Sequence, residues 1–109
     1  MNSGKRWTIH DSYGNQIYLT EERWEHITEP INHPEMAAYE EQLQETILTG
    51  ARKQDSLNPR KYRYAKAFER LAEDNTHIIA IVLFGLTVDE QGRPIPNNYI
   101  VTAYQKEIG

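Results

Sequence analysis

The sequence predicts an α+β domain in which helices gather on one face of an antiparallel sheet of three or four strands. Three observations predict it. Apolar residues alternate with polar ones on both sides of Tyr13-Gly14-Asn15, a turn signal. Between Thr20 and Gly50 the apolar spacing becomes three and four, the helical period. After Gly50 alternation returns, around a central β-branched run that opens at His77.

Taken in order, Trp7 and Ile9 precede the turn and Ile17 and Leu19 follow it, a short N-terminal hairpin. Thr20 is a natural N-cap, with Glu21 and Glu22 in the first turn where the helix dipole favours acids. Leu19 in front acts as a staple residue. This helix carries Trp24 and Ile27 on one side and should end near Glu29, because Pro30 restricts the residue before it. A second helix should start at Pro34, an N1 proline followed by Glu35. Its stripe is Met36, Tyr39, Leu43 and Ile47, its outer face Glu40, Glu41, Gln44 and Glu45, and its C-cap Gly50. Residues 51–58 read as an edge strand or a loop, and Asn58-Pro59 as a turn. From Lys61 onward Tyr62, Tyr64, Lys66 and Phe68 alternate with Lys61, Arg63, Ala65 and Ala67, a strand pattern. The run "HIIAIVLFGLTV", residues 77–88, is the core strand, and residues 89–98 a hairpin loop. In the final strand, from Tyr99, alternation puts Ile100, Thr102 and Tyr104 on one face and Tyr99, Val101 and Ala103 on the other.

The 109 residues suit one domain, residues 1–109, with a single core. There is no cysteine, which excludes disulfides and cysteine-based chemistry. No apolar run is long enough to cross a bilayer, and "MNSGKRWTIH" lacks the apolar stretch of a secretory signal. A cytoplasmic protein is expected. The net charge of -4 hides a two-sided distribution. Between Ala51 and Arg70 seven cations face two acids, a surplus of five, whereas eight glutamates from Glu21 to Glu45 face Arg23 alone. That layout suits a protein holding a polyanion on one side.

Four histidines occur, two of them His26 and His33. His33 reads mainly as the residue that enters the second helix. His26, at the flank of the first helix's packed face, has the stronger claim to proton transfer. A zinc site would have only Glu29 as a third ligand beside these two, so no metal and no cofactor is expected. The basic strand interleaves Arg60, Lys61, Arg63 and Lys66 with Tyr62 and Tyr64, cations for phosphate and flat rings for unpaired bases. Arg52 belongs to the same basic segment. The plain alternative is a solvated edge strand guarded by its charges. Thr102 and Tyr104 add hydroxyls that could clamp a phosphate. Together these residue types supply metal-independent RNA cleavage: a base for the ribose 2′-OH, an acid for the leaving 5′-oxygen, and cations for the charge between them.

The early "WEHI", the "HPE" opening a helix, the basic "KYRY" and the late "TAY" resemble the phage- and bacteria-associated Barnase–EndoU–colicin–RelE-like (BECR) nuclease domains, over roughly Tyr18 to Lys106. That resemblance implies two N-terminal helices packed on one face of a four-stranded antiparallel sheet, here preceded by the short hairpin. It implies a toxin-like, metal-independent endoribonuclease with RNA as substrate, and leaves room for a cognate inhibitor protein. Carried over by position, His26, Lys61, Thr102 and Tyr104 would be catalytic. Arg52, Arg60, Tyr62, Arg63, Tyr64 and Lys66 would bind substrate. The alternative is a non-catalytic binding or regulatory domain that uses its basic face to hold a nucleic acid or an acidic partner.

Overall fold

The computed structural model describes residues 4–108; the first three residues of the segment read as lacking a secretory signal, and residue 109, lie outside them. The chain runs β1 (Lys5–His10), β2 (Gln16–Thr20), α1 (Glu21–Ile27), a 3-10 helix (Pro34–Ala38), α2 (Glu40–Thr49), β3 (Ala51–Gln54), β4 (Lys61–Ala67), β5 (His77–Leu83), β6 (Leu86–Val88), β7 (Pro94–Pro96) and β8 (Asn98–Lys106). It is α+β, but the expected four-stranded antiparallel sheet is replaced by a six-stranded mixed sheet of order β1-β2-β8-β5-β4-β3. The N-terminal hairpin does not precede the sheet; it forms one wing of it. β2 pairs with β8 in parallel through Ile17 with Asn98 and Tyr18 with Tyr99. Alternation identifies strands and cannot say which partner they choose, so this pairing was not legible. Among the described residues no helix is long and apolar enough to cross a membrane.

Both helices pack on one face. Trp24 and Ile27 of α1 and Leu43 and Ile47 of α2 share a core with Ile17, Leu19, Tyr64, Ile78, Ala80, Val82, Ile100 and Ala103 of the sheet. The α1 N-cap is Thr20, whose hydroxyl accepts from the Arg23 N–H at 3.0 Å. Arg6 then ties β1 to both helices: its guanidinium lies 2.7 Å from Glu21 and also hydrogen-bonds Glu40, which accepts from the Trp7 indole at 2.8 Å.

Three local expectations need correction. The helix expected from Pro34 to Gly50 is broken at Tyr39 (φ -127°, ψ 30°), with a 3-10 turn before it. A 3-10 turn repeats every three residues, so the Met36-to-Tyr39 step reads alike in either helix. The strand expected over residues 77–88 stops at Leu83. Past Phe84 and Gly85 the chain forms a separate two-stranded arm, β6 with β7, which exposes Leu86, Val88 and Ile95. Prolines 94 and 96 fit there because an arm strand has one partner and an open edge. In β8 the register shifts opposite Ile81 and Val82, which pair with Thr102 and Ile100 and leave Val101 as a bulge. Ile100, Ala103 and Gln105 therefore face the helices, while Tyr99, Thr102 and Tyr104 face away. The expected grouping of Ile100 with Thr102 and Tyr104 is undone by that single extra residue.

Candidate functional site

The sheet face away from the helices carries no helix among the described residues, and the strand register assembles its side chains in rows. One row runs Lys61, Leu83, Tyr99 and Tyr18; the next runs Lys53, Arg63, Ile81 and Thr102. A third holds Ala65, Ile79 and Tyr104, and a fourth Ala67, His77 and Lys106. Four residues singled out in the sequence, Lys61, Arg63, Thr102 and Tyr104, thus share one surface. Arg63 and Thr102 are separated by β5 alone, about 10 Å between backbones, a gap that an arginine side chain spans in large part.

At the β3–β4 end of this face a pocket of about 260 Å³ is lined by Lys53, Lys61, Arg63, Asp55, Ser56 and Ile81, among others. Its one acid is engaged. The Asp55 carboxylate accepts from the N–H groups of Leu57 at 2.7 Å and Asn58 at 3.0 Å, and these bonds hold it below the usual carboxylate range. Lys61 stands 3.8 Å from it with 44% of its side chain exposed. Three cations around one partly committed carboxylate make an anion-binding surface.

The two histidines lie in different surroundings. His26 lies on the outer side of α1, 56% exposed, its Nδ1 3.6 Å from Glu29, in a depression lined by Glu22, Arg23 and Glu25. No sheet residue lines that depression, so His26 is not brought to Lys61 or Thr102. His33 is. Its N–H donates to the Ile27 carbonyl at 2.9 Å, and its side chain makes no capping bond. Its ring instead lies 5.6 Å from that of Tyr104, with Nδ1 3.7 Å from Glu35. In sequence a histidine before an N1 proline looks like a cap, and nothing local shows that β8 passes beside it.

The expected tyrosine platform is also corrected. Side chains alternate across a strand, so Tyr62, Tyr64 and Lys66 cannot share a face with Lys61 and Arg63. Tyr64 is fully buried and donates its hydroxyl to Asp11. Tyr62 packs against Phe84 at 4.8 Å, and Arg52 covers the ring at 4.5 Å while also lying 4.2 Å from Tyr13. Arg60 donates to the Phe84 carbonyl at 2.9 Å, and the Lys66 ammonium sits 6.0 Å from the Phe68 ring. The aromatic pair on the open face is one the sequence reading passed over: Tyr18 and Tyr99, ring centroids 6.0 Å apart. Tyr18 sits between Ile17 and Leu19, an alternation that already turned it outward; its meeting with Tyr99 depended on the parallel pairing. Lys53 was likewise passed over, although the same edge-strand alternation sets it opposite Arg63. Compared with family models, curated proteins and solved structures, the chain matches none.

Proposed function

We propose that the protein is an endoribonuclease that binds RNA across the open face of its sheet and cleaves it without a metal. The observation that carries this reading is His33 against Tyr104, on the face that also bears Thr102, Arg63 and Lys61. A base takes the ribose 2′-OH proton, the 2′-oxygen attacks the adjacent phosphorus, and the 5′-oxygen leaves with a proton from an acid. The products are a 2′,3′-cyclic phosphate and a free 5′-hydroxyl. His33, with Glu35 3.7 Å from its Nδ1, supplies one of the two proton transfers, and the Tyr104 hydroxyl supplies the other. Arg63 and Lys61 stabilise the charge that grows on the phosphate, and Thr102 donates to one of its oxygens.

A second reading is favoured by the placement of His26. The imidazole that would complete a pair lies among acids on the helical side, so the same face would hold RNA without cutting it. Purified protein with labelled RNA in EDTA separates the two. The first reading expects cleavage that His33→Ala slows by about 10²–10⁴-fold, with Tyr104→Phe also impaired and His26→Ala close to wild type. Salt-sensitive binding without product supports the second reading. Absence of both product and binding overturns both.

A further inference from the structure

We infer that Tyr18 and Tyr99 form a stacking subsite for unpaired bases, so that the RNA held on this face is single-stranded and runs across the strands. The inference rests on the RNA reading above and adds the class of RNA and its path. Tyr18 and Tyr99 are register partners in the parallel β2–β8 pair, and their rings are tilted by 39° at 6.0 Å. The Tyr18 hydroxyl donates to the Asn97 side chain at 2.9 Å, which fixes the direction of its ring before any ligand arrives. The Lys5 ammonium lies 4.3 Å from the Tyr18 ring. Beyond the pairing of Ile17 and Tyr18 the strands part, leaving a depression of about 200 Å³ lined by Tyr18, Thr20, Glu22, Arg23, Tyr99 and Ile100, its one cation matched by one acid.

On the other side of the two rings the same row continues to Leu83 and Lys61, three strand steps or about 14 Å from Tyr18. Flat rings therefore lie between cations, with Lys5 beside Tyr18 on one side and Lys53, Lys61 and Arg63 on the other. Phosphates need the cations and unpaired bases need the rings. A duplex keeps its bases stacked on one another and offers mainly its backbone. The chemistry of the face thus selects a short single strand, its backbone gripped at the β3–β4 pocket and its bases laid toward β2. Sheets that read single-stranded RNA stack two or three bases in this way.

The test uses the whole chain and three probes carrying 2′-O-methyl sugars, which remove the attacking hydroxyl and make cleavage irrelevant. These are a labelled uridine decamer, the same backbone without bases, and a duplex. The decamer should bind about ten-fold or more tightly than the abasic strand, and more tightly than the duplex. Tyr18→Ala with Tyr99→Ala should bring the decamer to the abasic level, and Tyr18→Phe with Tyr99→Phe should keep the preference. Equal binding of decamer and abasic strand by the wild-type protein overturns the inference and leaves the RNA reading standing. So does a preference that survives the double alanine substitution. Failure of all three probes to bind at low salt overturns both.

Discussion

At the residue scale, one carboxylate organises the β1–β2 turn and reaches the core beneath it. Asp11 accepts from the N–H groups of Tyr13 at 2.9 Å and Asn15 at 2.8 Å, from the Asn15 amide side chain, and from the Tyr64 hydroxyl. Burial pulls its carboxyl upward, but the hydrogen bonds from Tyr64, Asn15 and Tyr13 outweigh it and leave it below its ordinary 3.8. For Tyr64, burial comes first and the bond to Asp11 second, and both push the phenol above its ordinary 10. The lowered carboxyl contributes stability that is complete above its ordinary value and lost as pH falls through its folded one. The raised phenol contributes stability that is complete below its ordinary value and lost as pH rises toward its folded one. Tyr64→Phe should therefore cost about 1–3 kcal/mol near neutral pH, read as a lower urea midpoint, and should flatten the fall in stability at both acid and alkaline pH. A Tyr64→Phe protein with an unchanged midpoint would show that this bond does not hold the turn. None of this was legible, because Asp11 and Tyr64 are 53 residues apart and alternation does not name partners across a sheet. The placement of the histidines was hidden for a similar reason: their own helices say nothing of β8, which sets Tyr104 beside His33.

Elements translate spacing into faces, and two single residues control that translation here. Val101 is the extra residue in β8; were it paired in a regular ladder instead of bulged, Thr102 and Tyr104 would point into the core and Ala103 out of it. Deleting Val101 removes the extra residue without turning Ile100, Thr102 or Tyr104 over, so the deletion variant should still unfold cooperatively on heating, as should Val101→Gly. Loss of cooperative unfolding in the deletion variant, or burial of Tyr104 in it, would show that the faces of β8 are not set by this one-residue count. Gly50 is the other. It closes α2 as the sequence suggested, but with extended backbone (φ -71°, ψ 157°) rather than a left-handed turn. What it supplies is room: a Cβ there would stand 2.3 Å from the Thr46 carbonyl oxygen and 3.0 Å from that of Ala65. Gly50→Ala should destabilise by about 1–3 kcal/mol, the range for overpacking, measured by denaturant unfolding. The hairpin, the Thr20 cap, the buried stripe of Leu43 and Ile47, and the strands from Lys61, His77 and Tyr99 were all legible. Each rests on chemistry within a few residues. The bulge, the break at Tyr39 and the stop at Leu83 rest on the partner strand or on the turn type, and so were not.

For the whole molecule, the two-sided charge of the sequence becomes two physical sides. The helices carry Glu22 and Glu25 on one and Glu41 and Glu45 on the other, while Lys53, Lys61 and Arg63 occupy the opposite sheet face. RNA binding should weaken linearly on a log–log salt plot, and each phosphate-bound cation lost should flatten the slope by about 0.7. Lys61→Glu with Arg63→Glu should therefore flatten it clearly, and the reversal of Arg52, which is stacked among rings on the core side, should not act through the slope. An unchanged slope in the Lys61/Arg63 variant would move the phosphate grip elsewhere. The molecule, the β6–β7 arm included, is 49 Å in its longest dimension, and replacing residues 86–96 by a short turn should change the free energy of unfolding by no more than about 0.5 kcal/mol, as for a surface change. The sheet order has one more consequence. β8 lies between β2 and β5, so the centre of the sheet is supplied by the strand that leaves the ribosome last. The hairpin of β1 and β2 and the block of β3, β4 and β5 can each form early, and they meet through Asp11 with Tyr64, but within the sheet only β8 bridges them. Assembly of His33, Tyr104 and Thr102 on one surface then waits on the slowest, most non-local contacts of the fold, so the open face is the last part of the molecule to be completed.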